Sequence, residues 1–159
     1  MKQKELSRWL KAIDLVAGII GLLLCGLVAP ALGRAFVEEY PQLHGWFWPT
    51  LLYIWLMAAV VYVCLWHAWK IFTEIGKDNS FSLINAKRLR SVSRLALLEA
   101  GLICIGVVVL MLKNLLHPSI LFAMLFLLFL AIALSVVCAA LSHLVEKAYL
   151  LKQENDLTV

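Results

Sequence analysis

Glu99 is the only formally charged residue within four long apolar stretches, Leu15 to Gly33, Tyr40 to Trp69, Leu95 to Leu112 and Pro118 to Ser142. A carboxyl group inside hydrocarbon is costly and is a functional candidate by default. Glu99 lies five residues beyond Arg94, little more than one helical turn deeper. At that level its prospective neighbours are His67 and Lys70 on the second stretch, or Lys11 and Asp14 beside the first. Two chemistries are open to it. One is a paired, interface-level structural carboxylate, favoured because shallow charges are reached by snorkelling water; the other is a proton-coupled site with His67 as its polar companion.

The remaining groups that could do chemistry are sparse. His44, His67, His117 and His143 form no His-x-x-His or His-Glu-x-x-His pattern. Cys25, Cys64, Cys104 and Cys138 fall one to a stretch, which raises the question of a four-thiolate metal site. Depth argues against it. At ~1.5 Å per residue from the inner ends, Cys25 and Cys104 sit about 15 Å deep and Cys64 and Cys138 about 7 Å. A tetrahedral zinc ion needs all four sulfurs at about 2.3 Å, and thiolates are hard to form in apolar surroundings. These cysteines read as small apolar fillers. No nucleophile–base pair, phosphate loop or nucleotide motif is present, so no enzyme activity, cofactor or metal is expected.

One polar segment carries more information. Lys87, Arg90 and Arg94 follow i, i+3, i+7 spacing, while Leu83, Ala86, Leu89 and Val92 form the opposing stripe. An amphipathic basic helix over about 83–94 offers its cations to anionic headgroups, or to an acidic cytosolic partner. Orientation and lipid anchoring already account for these charges, and docking is the functional alternative.

The elements that must position these groups are set by hydropathy. The chain has 159 residues, 64% hydrophobic, with a mean hydropathy of +0.92, whereas about half the residues of a soluble domain are apolar. A span takes roughly 20 mostly apolar residues, so four spans consume most of the chain and leave no second domain. The expected fold is all-α: a polytopic membrane protein with four transmembrane helices in a bundle. The spans are about 13–33, 49–70, 95–112 and 118–143, with a loop over 71–94.

Charge orients the bundle. Of the fourteen Lys and Arg residues, all but Arg34 and Lys113 lie in the N-terminal stub, the middle loop and the tail. The positive-inside rule places those three segments, and so both termini, in the cytoplasm. The net charge of +4 thus reflects topology, and no direct nucleic-acid binding is expected. A competing reading is a cleavable leader, suggested by the basic stub, the apolar run and Ala29-Pro30-Ala31. That run reaches Gly33, longer than an h-region of about 7–15 residues, which favours an uncleaved first span.

Between the spans, Phe36, Tyr40, Trp46, Phe47 and Trp48 form an aromatic outer loop suited to the headgroup level. Proline is tolerated in a first helical turn, so the second span is expected to begin near Pro49. Gly76-Lys77-Asp78-Asn79 is a turn and Ser82 an N-cap. Small residues at every fourth position mark packing faces: Ala17, Gly21, Cys25, Ala29 and Gly33; then Ala96, Ala100 and Cys104; then Ala131, Ser135 and Ala139. They predict close packing within one bundle, or equally a homo-oligomer seam along the first span.

The run from Ile71 through Gly76, Lys77, Asp78, Asn79, Ser80, Phe81 and Ser82, continuing to Asn85, Ala86, Lys87, Arg88, Leu89 and Arg90, resembles the inner loop of a bacterial four-span membrane family catalogued as domain of unknown function 2975. That family carries a glycine, a Pro-Phe-Ser step, an asparagine and a Lys-Arg-Leu run before the third span; here Ser80 stands at the proline's place. The family has no established activity. The resemblance implies a multi-pass protein of the bacterial inner membrane, encoded near small helix-turn-helix regulators. The expected function is non-enzymatic interaction or regulation through the basic inner loop, with the lipid bilayer and a cytosolic protein as partners. The alternatives are a small proton-coupled transporter centred on Glu99, or an immunity protein against a membrane-active peptide that uses the aromatic outer loop.

Overall fold

The computed structural model describes residues 3–157, and the described residues are helical with short connections and no strand. The first helix starts as α1 (Gln3–Leu23), passes through a π turn at Leu24–Val28, and ends as α2 (Ala29–Glu39). A 3₁₀ segment, Pro41–Trp46, leads into α3 (Phe47–Gly76). Then follow α4 (Leu83–Leu112) and α5 (Pro118–Leu157). Four helices, Gln3–Glu39, Leu43–Gly76, Leu83–Leu112 and Pro118–Asn155, are long and apolar enough to cross a membrane. Pro49 lies within the first turn of α3, which opens two residues before it.

The π turn has a cause in the sequence. Proline has no N–H and its ring crowds the carbonyl one turn back, so Pro30 disturbs a continuous helix. The helix absorbs this by slipping to the wider register: the Ala29 N–H bonds to the Leu24 carbonyl, five residues back. The backbone then continues to Glu39.

Both short hairpin turns close in one way. At the end of α3, the Asn79 N–H reaches the Glu74 carbonyl at 3.0 Å and the Asp78 N–H reaches that of Ile75 at 3.1 Å. After α4, the Leu115 N–H reaches the Leu110 carbonyl and the Asn114 N–H that of Met111, both at 3.0 Å. These are Schellman closures, whose C′ residue is left-handed. Asp78 (φ 64°) and Asn114 (φ 54°) fill that place, short polar side chains that tolerate it better than others.

The basic segment 83–94 is the first part of α4 and runs unbroken into the apolar part beyond Leu95. Ser82, extended at φ −131°, caps it by accepting from the Asn85 N–H at 3.3 Å. At ~1.5 Å per residue the forty residues of α5 extend about 60 Å, against a hydrocarbon core of about 30 Å. The helix is thus about twice as long as the core it has to cross.

Neighbours follow chain order: α1 and α2 pack on α3, α3 on α4, and α4 most closely on α5. Among the described residues α5 makes no close backbone approach to α1 or α3. The bundle is open on that side, which is tolerable in lipid because acyl chains cover an apolar helix as well as another helix does. Large apolar side chains such as Ile20, Leu23, Phe126 and Phe129 are exposed.

The seams are made of small residues and hydroxyls. Ala86, Ala96, Ala100, Ile103 and Gly106 of α4 are buried, as are Ser135, Cys138 and Ser142 of α5. Cys104 and Ala139, expected on these seams, are exposed instead, as is Ala17 on α1, where Gly18 turns inward. A strict four-residue stripe drifts by about 40° per step on a helix of 3.6 residues per turn, so a straight seam must alternate threes and fours. Ser142 Oγ donates to the Ala86 carbonyl at 2.7 Å, and Ser135 Oγ to that of Ser93 at 2.9 Å.

Candidate functional site

The polar groups converge at the end of the bundle where α3 turns into α4. Gly76 ends α3 against Ser7 of α1; a Cβ there would meet Ser7 Oγ at 2.8 Å. Only a glycine lets Ser7 Oγ reach the Phe72 carbonyl at 2.6 Å. Asn85, 1% exposed, is the centre of the turn. Its Nδ2 donates to the carbonyls of Asn79 and Ser80, both at 3.2 Å. Its Oδ1 accepts from Arg88 Nη1 at 3.3 Å, and that nitrogen also donates to the Lys70 carbonyl at 3.2 Å. The amide thus uses both donors and its acceptor, as a buried amide must.

Glu74 closes the rim. Its carboxylate accepts from Asn79 Nδ2 at 3.0 Å and from Lys77 Nζ at 3.2 Å. The Asn79 amide, then the Lys77 ammonium, hold its pKa below the usual carboxylate value. The residues that carry the family resemblance therefore build a rigid corner. Ser7, Glu74, Asn85 and Arg88 are members not singled out from the sequence as site residues; for Asn85, its place three residues past the Ser82 cap was the available signal.

Lys87, Arg90 and Arg94 lie together on this end of α4. Lys87 and Arg94 are exposed and join no ion pair among the described residues. Arg90 pairs with Glu146 of α5, Nη2 to Oε2 at 2.9 Å, a partner that the sequence alone did not disclose. This pair ties the polar extension of α5 to the basic turns of α4.

Glu99 and His67 are not joined by any hydrogen bond or ion pair among the described residues. His67 Nδ1 engages the Val63 carbonyl of its own helix at 2.9 Å, and its ring meets Trp66 edge-on. Lys70 lies over Trp66, 3.5 Å from the ring centroid, and Lys11 over Trp69 at 5.2 Å. Three of the prospective neighbours of Glu99, namely His67, Lys70 and Lys11, are thus engaged elsewhere. Its Oε2 is buried without a hydrogen-bond partner, within electrostatic reach of Tyr53 and Cys64 on α3.

Two tyrosines and a tryptophan of α3 bind backbone carbonyls on its neighbours. Tyr62 Oη donates to the Gly18 carbonyl at 2.5 Å, Tyr53 Oη to that of Leu102, and Trp55 Nε1 to that of Cys25 at 3.0 Å. Gly106 and Gly21 make room for the two phenols, since a Cβ at either would fall within 3 Å of the hydroxyl. The four cysteines are free thiols, and no group of three or more His, Cys, Asp or Glu among the described residues is arranged to hold a metal.

Comparison with known proteins places the chain in a family. The family described as Protein of unknown function (DUF2975) matches residues 31–159. The chain belongs to that family. It is also similar to the uncharacterized membrane protein YoaS of Bacillus subtilis (strain 168), 27% identical over 153 residues, covering 95% of this chain and 96% of the relative. No solved structure matches. The family match takes in α3 to α5 and the whole Gly76–Arg90 corner, while Ser7 and Gly18 on α1 precede it. Membership agrees with a membrane protein of four apolar helices.

Proposed function

We propose that the chain is a non-enzymatic protein of the bacterial cell membrane, both termini cytoplasmic, that docks a cytosolic protein on the shared end of α4 and α5. The observation that carries this reading is that the two helices continue as one braced pair beyond their apolar stretches. Ser142 is bonded to the Ala86 carbonyl at 2.7 Å and Arg90 to Glu146 at 2.9 Å. Lys87 and Arg94 of α4 are exposed, as are Leu144 and Leu151 of α5, each 61% exposed. Exposed cations on one helix of the pair and an apolar stripe on the other suit an amphipathic acidic segment of a partner. The split of basic residues between the two ends supports a cytoplasmic position for this surface.

Crosslinking in cells tests the reading. Lys87→Glu combined with Arg94→Glu removes the crosslinked partner, whereas Lys113→Glu at the opposite end leaves it in place. Identical crosslinking by the wild type and the double variant overturns docking at this surface.

A second reading, proton-coupled transport centred on Glu99, is favoured by the buried, unpartnered Oε2. Purified protein in proteoliposomes with an imposed pH gradient would carry a Glu99-dependent proton flux. Equal flux with the Glu99→Gln variant sinks it.

A further inference from the structure

Residues 14–22 of α1 and 62–69 of α3 leave between them a groove of about 620 Å³, open to the lipid side. Its walls are Leu15, Gly18 and Leu22 of α1 facing Tyr62, Trp66 and Trp69 of α3. From Asp14 to Leu22 it runs about 12 Å along α1 at ~1.5 Å per residue, most of one ~15 Å leaflet. Gly18 makes the depth: a Cβ there would meet Tyr62 and Leu65 only at 3.9 and 4.0 Å, and nothing larger fills the space.

The charge at its mouth is distinctive. Lys70 and Lys11 lie on the two tryptophans that line the groove. Lys4, Arg8 and Lys11 follow i, i+4, i+7 spacing and share the face of α1 that continues into Leu15, Gly18 and Leu22. One helix face thus reads cationic, then apolar, in the order of a phospholipid's headgroup and chain. Asp14 is the single carboxylate in the lining, and Lys11 and Lys70 stand on the lining tryptophans Trp69 and Trp66. A second copy of the chain would set these cations against their own kind, so an interface between copies is disfavoured here.

We propose that this groove binds one anionic phospholipid, its acyl chain lying between α1 and α3 and its phosphate held by Lys11 and Lys70. Tryptophan rings at the mouth suit the ester level of the lipid, apolar body inward and N–H toward water. This site is separate from the basic surface of α4 and stands whether or not a protein docks there.

Native mass spectrometry of the full chain in a mild detergent tests it, with palmitoyl-oleoyl phosphatidylglycerol and the phosphatidylcholine of the same chains as probes. The wild type retains phosphatidylglycerol in preference, and Lys11→Gln and Lys70→Gln each weaken retention about fivefold. Gly18→Leu, which fills the groove, removes retention of both lipids, and a circular-dichroism melt checks that it folds. Equal retention of the two lipids by the wild type overturns the proposal. So does undiminished phosphatidylglycerol retention in the Lys11→Gln, Lys70→Gln double variant, or loss that follows Lys87→Gln and Arg94→Gln instead.

Discussion

The indole N–H of Trp55 donates to the backbone carbonyl of Cys25 at 3.0 Å, across the interface between α3 and the π turn. In its own helix, the N–H groups that would ordinarily serve that carbonyl are diverted or missing. The Ala29 N–H, four residues on, is taken by Leu24, and residue 30 is a proline without an N–H. An unsatisfied carbonyl in hydrocarbon costs several kcal/mol, so Trp55 repairs a break that Pro30 makes. Trp55→Phe should therefore lower stability by about 1–3 kcal/mol. In a Pro30→Ala background the lost N–H returns and the same substitution should cost far less. A double-mutant cycle of thermal melts in detergent measures the coupling; independent, additive effects would refute the repair.

The left-handed C′ positions offer a gain instead of a loss. Asp78 at φ 64° and Asn114 at φ 54° occupy conformations that glycine adopts freely. Asp78→Gly should stabilise the protein by about 0.5–1 kcal/mol, since its left-handed strain goes and its side chain makes no bond to the turn. Asn114→Gly should gain less, because asparagine is the better tolerated of the two. Melting temperatures of the two variants check both the sign and the order.

The corner at the base of α4 should behave as one unit. Asn85→Ala leaves the carbonyls of Asn79 and Ser80 and the Arg88 guanidinium without a shared partner, a loss of about 1–3 kcal/mol. Arg88→Ala in the Asn85→Ala background should then add less than Arg88→Ala alone. Chemical denaturation of the single and double variants reads this directly.

Much of this architecture is legible in the residues themselves. Apolar runs of span length announce four helices, and Ser82 announces the start of α4, because each signal is local to one segment. The seams were legible only in kind. Small residues named the faces, but Cys104 against Ile103 turns on the 3.6-residue pitch. Pairings across helices, such as Arg90 with Glu146 or Trp55 with Cys25, depend on which helices become neighbours, and hydropathy does not encode that. Glu99 stood out by charge alone, yet its surroundings required the packing of α3 on α4.

Acid should loosen the α3–α4 corner through Glu74. Its folded pKa lies below the unfolded value because the Asn79 amide and the Lys77 ammonium favour the ionised form. Such a group stabilises the folded state above the unfolded pKa, near 4.5, and the contribution fades as pH falls through the lower folded value. The wild type should therefore melt higher than Glu74→Gln at neutral pH. The gap should close as pH drops below about 4.5. A gap independent of pH would mean the carboxylate's charge plays no part in the corner.

Glu99 is where stability and function are expected to part. Its Oε2 is buried with no hydrogen-bond partner, and no ion pair among the described residues offsets the carboxyl group. A buried polar group left unsatisfied carries a penalty of about 1–3 kcal/mol, whereas a leucine of similar size would pack against α3 without it. Glu99→Leu should accordingly raise the melting temperature in detergent, and Glu99→Gln should change it little. A protein that retains so costly a group for no purpose would lose nothing in the cell when it is replaced. A growth or crosslinking defect in the stabilised Glu99→Leu variant would therefore assign Glu99 a role beyond the fold, while a fall in melting temperature would show that the carboxylate is a structural member of the α3–α4 seam.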